Sequence, residues 1–306
     1  MPNNTVKICE MGPRDGLQNE AAYIDTKTKI DFINKLSNTG LGNIEVSSFV
    51  NPKRVPQMAD AANVFKEISR KKNVLYSALV PNELGLQNAL DCHPDSIAVF
   101  TTVSESFSKK NINCSISESL QRFASVIKKA QDNEIPVRAY ISCVMGCPYE
   151  GFIQPEKVAE LAKQLIDMGC YEISLGDTIG SGTANHARQL ITTCSEKVPI
   201  ENLAIHFHDT RGQALANILA CLEMGIRTID ASVAGLGGCP YANGATGNVA
   251  TEDVVYMLQG MGYETGIDLN KLISVGQWIS QKLNRVNNSR SGVAGVPYEY
   301  TSYQSF

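Results

Sequence analysis

Short apolar stretches alternate with longer amphipathic stretches from near the N-terminus to about residue 262. The apolar stretches have the length of β-strands, and the segments between them repeat apolar residues at helical spacing. The clearest helix covers Glu156–Met168, where Val158, Leu161 and Leu165 share one face. The predicted strands are Val6–Glu10, Asn43–Ser48, Val74–Val80, Ser96–Thr101, Val137–Cys143, Tyr171–Leu175, Leu203–Asp209 and Thr228–Val233.

Helices are predicted between these strands and after the last of them. A polar connection is expected through Asn111–Asn113, and an additional helix near Asn270–Asn284. The other predicted helices are Thr26–Asn38, Ala59–Lys71, Glu83–Leu90, Ser117–Asp132, Glu156–Met168, Asn185–Glu196, Gln213–Met224 and Thr251–Gly260.

Eight strand–helix units in about 250 residues are the dimensions of a (β/α)₈ TIM barrel. A doubly wound parallel sheet has the same alternation. The chain contains no G-x-G-x-x-G or P-loop pattern that would favour it. We therefore predict an α/β protein of one domain over residues 1–306: a TIM barrel at about 6–262, a C-terminal helical extension at about 263–286 and a polar tail at 287–306.

Composition narrows the class of protein further. The 306 residues carry a net charge of −4 without a Lys/Arg-rich block, so no nucleic-acid partner is expected. No apolar run approaches the roughly 18–20 residues that cross a membrane. The N-terminus lacks the pattern of a signal peptide, and the nine cysteines form no compact framework. We expect reduced cysteines and a cytoplasmic protein.

The seventh predicted strand carries two histidines, His206 and His208. Strand side chains alternate between faces, so these two imidazoles point the same way. The chain has only four histidines, and this spacing lets two of them approach one ion. Two ordinary strand histidines are the alternative interpretation.

Further ligand-type residues follow other predicted strands. In a TIM barrel the active site lies at the carboxyl ends of the strands. Asp15 follows the first strand and Asn248 follows the eighth, so both are expected beside His206 and His208. This mixed nitrogen and oxygen set suits Mg²⁺ or Mn²⁺, while zinc and iron remain open. Turn formation beside glycines is the alternative role for Asp15 and Asn248.

Three more charged residues lie at strand ends. Arg14 would supply fixed positive charge to an oxyanion, and its alternative is a surface salt bridge. Glu45 and Asp177 would face the substrate or accept hydrogen bonds from the ligands or from Arg14. A purely structural role is the alternative for both. The glycine-rich loop Gly235–Tyr241 has the flexibility of a lid and carries Cys239, a candidate proton donor or nucleophile.

Five motifs together resemble the 3-hydroxy-3-methylglutaryl-CoA lyase family. They are Gly12–Glu20 (GPRDGLQNE), Lys110–Asn113 (KNIN), Gly146–Gly151 (GCPYEG), Ser174–Gly180 (SLGDTIG) and Val233–Tyr241 (VAGLGGCPY). The resemblance runs from about residue 6 to residue 284 and does not extend into the tail. It implies cleavage of 3-hydroxy-3-methylglutaryl-CoA into acetyl-CoA and acetoacetate, the last step of leucine breakdown.

The resemblance also implies roles for particular residues. Asp15, His206, His208 and Asn248 would bind Mg²⁺ or Mn²⁺, Arg14 would stabilise an enolate, and Cys239 would be the catalytic cysteine. The base that accepts the substrate's hydroxyl proton would be Asp15 or His206. Asn111, with Lys109 and Lys110, is a candidate contact for the acyl-CoA substrate. A homodimer or a higher homo-oligomer is expected.

Three other functions stay open at this point. A lyase for a longer-branched 3-hydroxyglutaryl-CoA would use the same residues. An acetyl-CoA-condensing synthase would share Arg14, Asp15 and Gly16 but usually has Glu where Leu17 stands, and it lacks the Gly-Gly-Cys-Pro-Tyr loop. A non-catalytic acyl-CoA-binding barrel would not need the intact ligand set.

Overall fold

A computed structural model of the chain describes residues 4–20, 22–238 and 247–297. Within them, eight parallel strands close into a barrel. In chain order the strands are β1 (Lys7–Glu10), β2 (Asn43–Ser48), β3 (Leu75–Leu79), β4 (Ser96–Thr102), β5 (Val137–Ser142), β6 (Glu172–Asp177), β7 (Leu203–Phe207) and β8 (Thr228–Ala231). Pairing of β8 with β1 closes the barrel, with Lys7 opposite Thr228. The predicted TIM barrel is confirmed.

Helices connect successive strands and cover the outside of the barrel. They are α1 (Thr26–Leu36), α2 (Ala61–Glu67), α3 (Glu83–Leu90), α4 (Glu105–Ile112), α5 (Ile116–Asp132), α6 (Pro155–Asp167), α7 (Ala184–Ser195), α8 (Ala214–Glu223), α9 (Thr251–Gly260), α10 (Leu269–Lys282) and α11 (Arg290–Ala294). Local sequence explains several starts. In α5, for example, the Ser115 hydroxyl accepts from the Glu118 N–H while the Glu118 side chain accepts from the Ser115 N–H.

Two helices lie where the sequence analysis expected none. The polar connection predicted through Asn111–Asn113 is wrong, because Asn111 belongs to α4, which the Ser104 hydroxyl caps. This helix buries only Phe107 and Ser108, too few positions to produce a helical pattern in the sequence. The other unpredicted helix, α11, lies in the segment expected to be a polar tail.

The segment around α11 packs against the loop that follows β8. The Asn288 N–H donates to the Ala234 carbonyl at 3.1 Å. The Asp253 carboxylate accepts from the Ser289 hydroxyl, the Arg290 N–H and the Ser291 N–H at 2.9, 3.0 and 2.6 Å. These contacts attach the C-terminal segment to the carboxyl end of the barrel, where the predicted site lies.

The interior of the barrel contains charge as well as apolar side chains. Arg138 on β5 donates to Glu172 on β6 at 2.6 Å and to Asp230 on β8 at 3.0 Å, and all three side chains are buried. Burial opposes the charged form of Arg138, but the two carboxylates outweigh it and raise its pKa well above the usual value. The interior can therefore hold this cation because its charge is matched by buried anions.

Candidate metal and catalytic site

A single π-helical turn after β1, Gly12–Gly16, places Arg14 and Asp15 at the mouth of the barrel. The turn packs closely at both ends. A Cβ atom on Gly12 would lie 2.6 Å from Glu10 Oε1, and one on Gly16 would lie 2.8 Å from Leu236 Cβ. Glycine at these two positions lets the turn fit against β1 and the loop after β8.

Arg14 is buried and bound by two carboxylates. Its Nε donates to Glu45 Oε1, and its Nη1 donates to Asp15 Oδ1 at 2.5 Å. The guanidinium lies 5.6 Å from the centre of the Tyr140 ring, whose hydroxyl donates to Glu45 Oε2 at 2.7 Å. Burial opposes the charge of Arg14, but Glu45 and Asp15 outweigh it and raise its pKa above the usual value. Arg14 is thus a fixed cation, and the surface salt bridge considered from sequence is wrong.

Asp15, His206 and His208 converge. One ligand atom from each lies within 4.8 Å of the others, and His206 Nε2 lies 3.7 Å from Asp15 Oδ2. Burial alone would raise the pKa of Asp15, but Arg14 and the two histidines lower it to about 2. Asp15 is therefore ionised at neutral pH. A carboxylate and two imidazoles at this distance have the donor chemistry that a divalent cation requires.

His206 is held by a residue that the sequence analysis missed, Asp230. In the sheet, His206 on β7 pairs in register with Asp230 on β8. Its Nδ1 lies 3.2 Å from Asp230 Oδ2, and the Ser174 hydroxyl donates to the same oxygen at 2.7 Å. A carboxylate at Nδ1 favours the tautomer that leaves Nε2 free to bind a cation. The signal in the sequence was a charged residue inside a short apolar strand.

His208 is buried, and its Nδ1 has no hydrogen-bond partner among the described residues. Burial, and next the neighbouring His206, lower its pKa to about 4, so the ring is neutral at physiological pH. A buried ring nitrogen without a partner is unfavourable in a folded protein unless a ligand uses it. The residues present therefore fit a divalent cation.

Asn248 lies beside Asp15, as predicted, and its Nδ2 donates to Asp15 Oδ2 at 2.8 Å and to the Leu236 carbonyl at 3.1 Å. Its amide nitrogen, and not its oxygen, faces Asp15, so ligation through oxygen requires the amide to turn. Next to it, Gly237 has φ +119° and Gly247 has φ +83°. A Cβ atom on Gly247 would lie 2.6 Å from the Gly237 carbonyl carbon, so the two segments touch. Cys239 lies outside the described residues.

Two other predicted substrate contacts lie outside this cluster. Asp177 accepts from the Ser181 and Gly182 N–H groups at 3.1 and 2.8 Å, and the pKa of its carboxyl is raised by burial. Its two oxygens hold the turn after β6, which favours the structural alternative. Asn111 is exposed in the last turn of α4 and is not a member of the cluster of Asp15, His206 and His208.

The fold and this site define a TIM barrel with a cluster of carboxylate and imidazole groups at the carboxyl ends of its strands, whose donor atoms fit a divalent cation. The model of the HMGL-like family matches residues 5–279, and the chain belongs to that family. Cytoplasmic 3-hydroxy-3-methylglutaryl-CoA lyase of Rattus norvegicus is 56% identical over 285 residues, 93% of this chain and 83% of the rat protein. Mitochondrial hydroxymethylglutaryl-CoA lyase of Gallus gallus is 55% identical over 93% of this chain and 96% of its own length.

Structural comparison gives the same family. The crystal structure of hydroxymethylglutaryl-CoA lyase from Pseudomonas aeruginosa has a TM-score of 0.93 and 54% identity, covering 95% of this chain and 97% of its own. The family resemblance expected from the five sequence motifs is thereby confirmed. Separately, none of the helices in the described part of the chain is both long and apolar enough to cross a membrane.

Proposed function

We propose that this chain cleaves 3-hydroxy-3-methylglutaryl-CoA into acetyl-CoA and acetoacetate with the help of a divalent cation. The observation that carries the proposal is the convergence of Asp15, His206 and His208 next to Arg14. The relatives named above are lyases for this substrate. Cleavage of the carbon–carbon bond needs removal of the C3 hydroxyl proton and stabilisation of a thioester enolate, and the cluster offers residues for both.

The cation would be Mg²⁺ or Mn²⁺, held by Asp15, His206, His208 and, after rotation of its amide, Asn248. When bound, such an ion lowers the pKa of a hydroxyl group and orients an oxygen-rich substrate. The chain supplies the rest. Asp15 is kept ionised by Arg14, and His206 is kept in one tautomer by Asp230, so both have the protonation state that binding requires.

Arg14 would neutralise the enolate oxygen, because its charge is fixed and it is held rigidly between Glu45 and Asp15. The hydroxyl proton would pass to Asp15 or to His206. The pKa of Asp15 is about 2, so its carboxylate is a weak base. His206 could accept the proton only when its Nε2 is not bound to the cation, because Asp230 faces its Nδ1. Cys239 would return a proton to the nascent acetyl group. Unchanged turnover in Cys239→Ala would remove the thiol from the mechanism.

The CoA portion would lie near α4, which follows β4 at the same end of the barrel. Lys109, Lys110 and Asn111 form the last turns of this helix, and the Lys110 ammonium lies 3.9 Å from the centre of the Tyr149 ring. We also propose a homo-oligomer and a cytoplasmic location. The eight described cysteines are all free, as in a reducing compartment.

A product assay tests the proposal. Purified protein with Mg²⁺ or Mn²⁺ is incubated with 3-hydroxy-3-methylglutaryl-CoA and, separately, with longer-branched analogues, and the products are identified by mass spectrometry. We expect acetyl-CoA and acetoacetate from the methyl substrate, and far less product from Arg14→Gln. If only the longer-branched analogues were cleaved, the proposed substrate would be wrong. If none of the compounds were cleaved, the proposed lyase activity would be refuted.

A further inference from the structure

Glu10 is a completely buried carboxylate at the end of β1 that the proposed mechanism does not use. Its Oε1 accepts from the Gly12 N–H at 2.7 Å and from the Val233 N–H at 2.9 Å. Its Oε2 accepts from the Thr251 hydroxyl at 2.7 Å. One side chain therefore holds three segments that are far apart in the chain.

Each of these three segments carries part of the site. Gly12 begins the turn that presents Arg14 and Asp15. Val233 begins the segment whose Leu236 carbonyl accepts from the Asn248 amide. Thr251 begins α9, three residues after Asn248. Glu10 touches no predicted ligand, yet it contacts the backbone or side chain of every segment that delivers Asp15 and Asn248.

We propose that Glu10 is a positioning residue, which sets the placement of the Arg14–Asp15 turn relative to Asn248 and so determines how tightly the cation is held. The inference rests on the proposed function for its catalytic consequence, but its consequence for cation binding can be measured separately. The hydrogen bonds that carry it are those that the Gly12 and Val233 backbone N–H groups donate to Glu10 Oε1.

The geometry requires an acceptor at Oε1 and does not require charge. Burial raises the pKa of Glu10 to about 7. Glutamine has the same length and can keep its oxygen on the Gly12 and Val233 N–H groups, while its amide donates to the Thr251 hydroxyl. Aspartate keeps the charge but is one methylene shorter, so it cannot reach all three donors.

The experiment compares Glu10→Gln, Glu10→Asp and a remote control, Leu165→Ala, which opens a cavity in the completely buried face of α6. Mn²⁺ affinity of metal-depleted enzyme is measured by electron paramagnetic resonance, and kcat and KM are measured below the melting temperature of every variant. We expect Glu10→Asp to weaken Mn²⁺ binding and to lower kcat by about 10- to 100-fold, the usual scale for residues that support metal ligands. Glu10→Gln should stay within about fivefold of wild type.

Two results would overturn the inference. One is Mn²⁺ affinity in Glu10→Asp equal to that of wild type. The other is the reverse order, with Glu10→Asp normal and Glu10→Gln impaired, which would show that charge matters and placement does not. Leu165→Ala should lower the melting temperature without changing Mn²⁺ affinity. If wild-type enzyme binds Mn²⁺ but cleaves no substrate, the proposed function fails while the affinity comparison still decides the role of Glu10.

Discussion

Two arginines inside this barrel have closely similar surroundings at different depths. Arg138 is bound by Glu172 and Asp230, and Arg14 by Glu45 and Asp15. The two guanidiniums lie 5.1 and 5.6 Å from the centre of the same Tyr140 ring. The chain thus uses the same arrangement, a cation between two carboxylates, twice.

The two groups differ in what their carboxylates face. Glu172 and Asp230 are both buried, and both bind the Arg138 guanidinium. The Asp15 side chain is 21% exposed and lies near His206 and His208, whose Nδ1 has no hydrogen-bond partner in the part of the chain that the structure describes. The deeper group pairs its ions inside the barrel and reaches the site only through the contact of Asp230 with His206, whereas the outer group is open toward a ligand. Similar pairing therefore does not imply similar function, because the free coordination sites decide it.

Removal of metal should produce the largest effect, since only the outer group offers ligand atoms. Dialysis against EDTA is expected to abolish cleavage of 3-hydroxy-3-methylglutaryl-CoA, and added Mg²⁺ or Mn²⁺ should restore it. The melting temperature of the metal-free protein, measured in parallel, should change far less than activity. Full turnover in rigorously metal-free enzyme would contradict the assignment of the outer group.

Substituting each arginine in turn separates the two groups. Arg14→Gln should lower kcat by on the order of 10²–10³, the scale of one lost oxyanion donor, with the circular dichroism of the barrel retained. Arg138→Gln leaves Glu172 and Asp230 buried without their cation and should lower the free energy of unfolding by about 3–5 kcal/mol. Urea titration and steady-state kinetics measure both. If the two variants lost the same activity and the same stability, the two arginines would not have the different roles assigned to them here.

Asp230 belongs to both groups, because it binds Arg138 and also His206. Asp230→Asn should therefore lower stability and also weaken Mn²⁺ binding by about 10- to 100-fold. Glu172→Gln is the matched control: it touches Arg138 but not the histidine, so it should lower stability alone. Calorimetric titration with Mn²⁺ distinguishes the two, and identical affinities would show that Asp230 does not support His206.

The smallest effect is expected at Glu252. This buried carboxylate accepts a hydrogen bond from a backbone N–H, whereas the carboxylates discussed above bind an arginine. Glu252 binds the Ala234 N–H, and burial raises its pKa from 4.5 to about 8. The unfolded chain releases this proton near pH 4.5 while the folded protein keeps it to about pH 8, so stability falls as pH rises between them. Glu252→Gln should remove about 1–4 kcal/mol of this fall. Urea unfolding at several pH values checks it, and parallel curves for the two proteins would contradict it.

Much of the fold follows from the sequence because helices and strands here have distinct apolar periods. β2 at Asn43–Ser48 and α9 at Thr251–Gly260 have the predicted bounds. The proximity of Asp15 to His206 also followed from the sequence, because the carboxyl ends of all strands in a parallel barrel lie at the same end. The pattern failed for α4 and α11, which are short and bury few side chains, so their apolar residues show no period.

The supporting residues of the site could not be predicted in the same way. Asp230 contacts His206 because of the register between two strands, and Glu10 contacts a segment more than 200 positions away. The linear pattern of apolar residues contains neither piece of information. The hydrogen bond between Tyr140 and Glu45 likewise depends on the diameter of the barrel and on the tilt of its strands. One signal was available: charged residues within apolar strands, which in a closed barrel must find partners inside.

The contact between Asn288 and Ala234 has a consequence for synthesis of the protein. The segment around α11 follows all eight strands in the chain, yet it packs on the loop that leads from β8 toward Cys239. On a ribosome, the strands of the barrel emerge well before this segment does. The nascent chain can therefore close its barrel before the Ala234 carbonyl gains its hydrogen bond from Asn288.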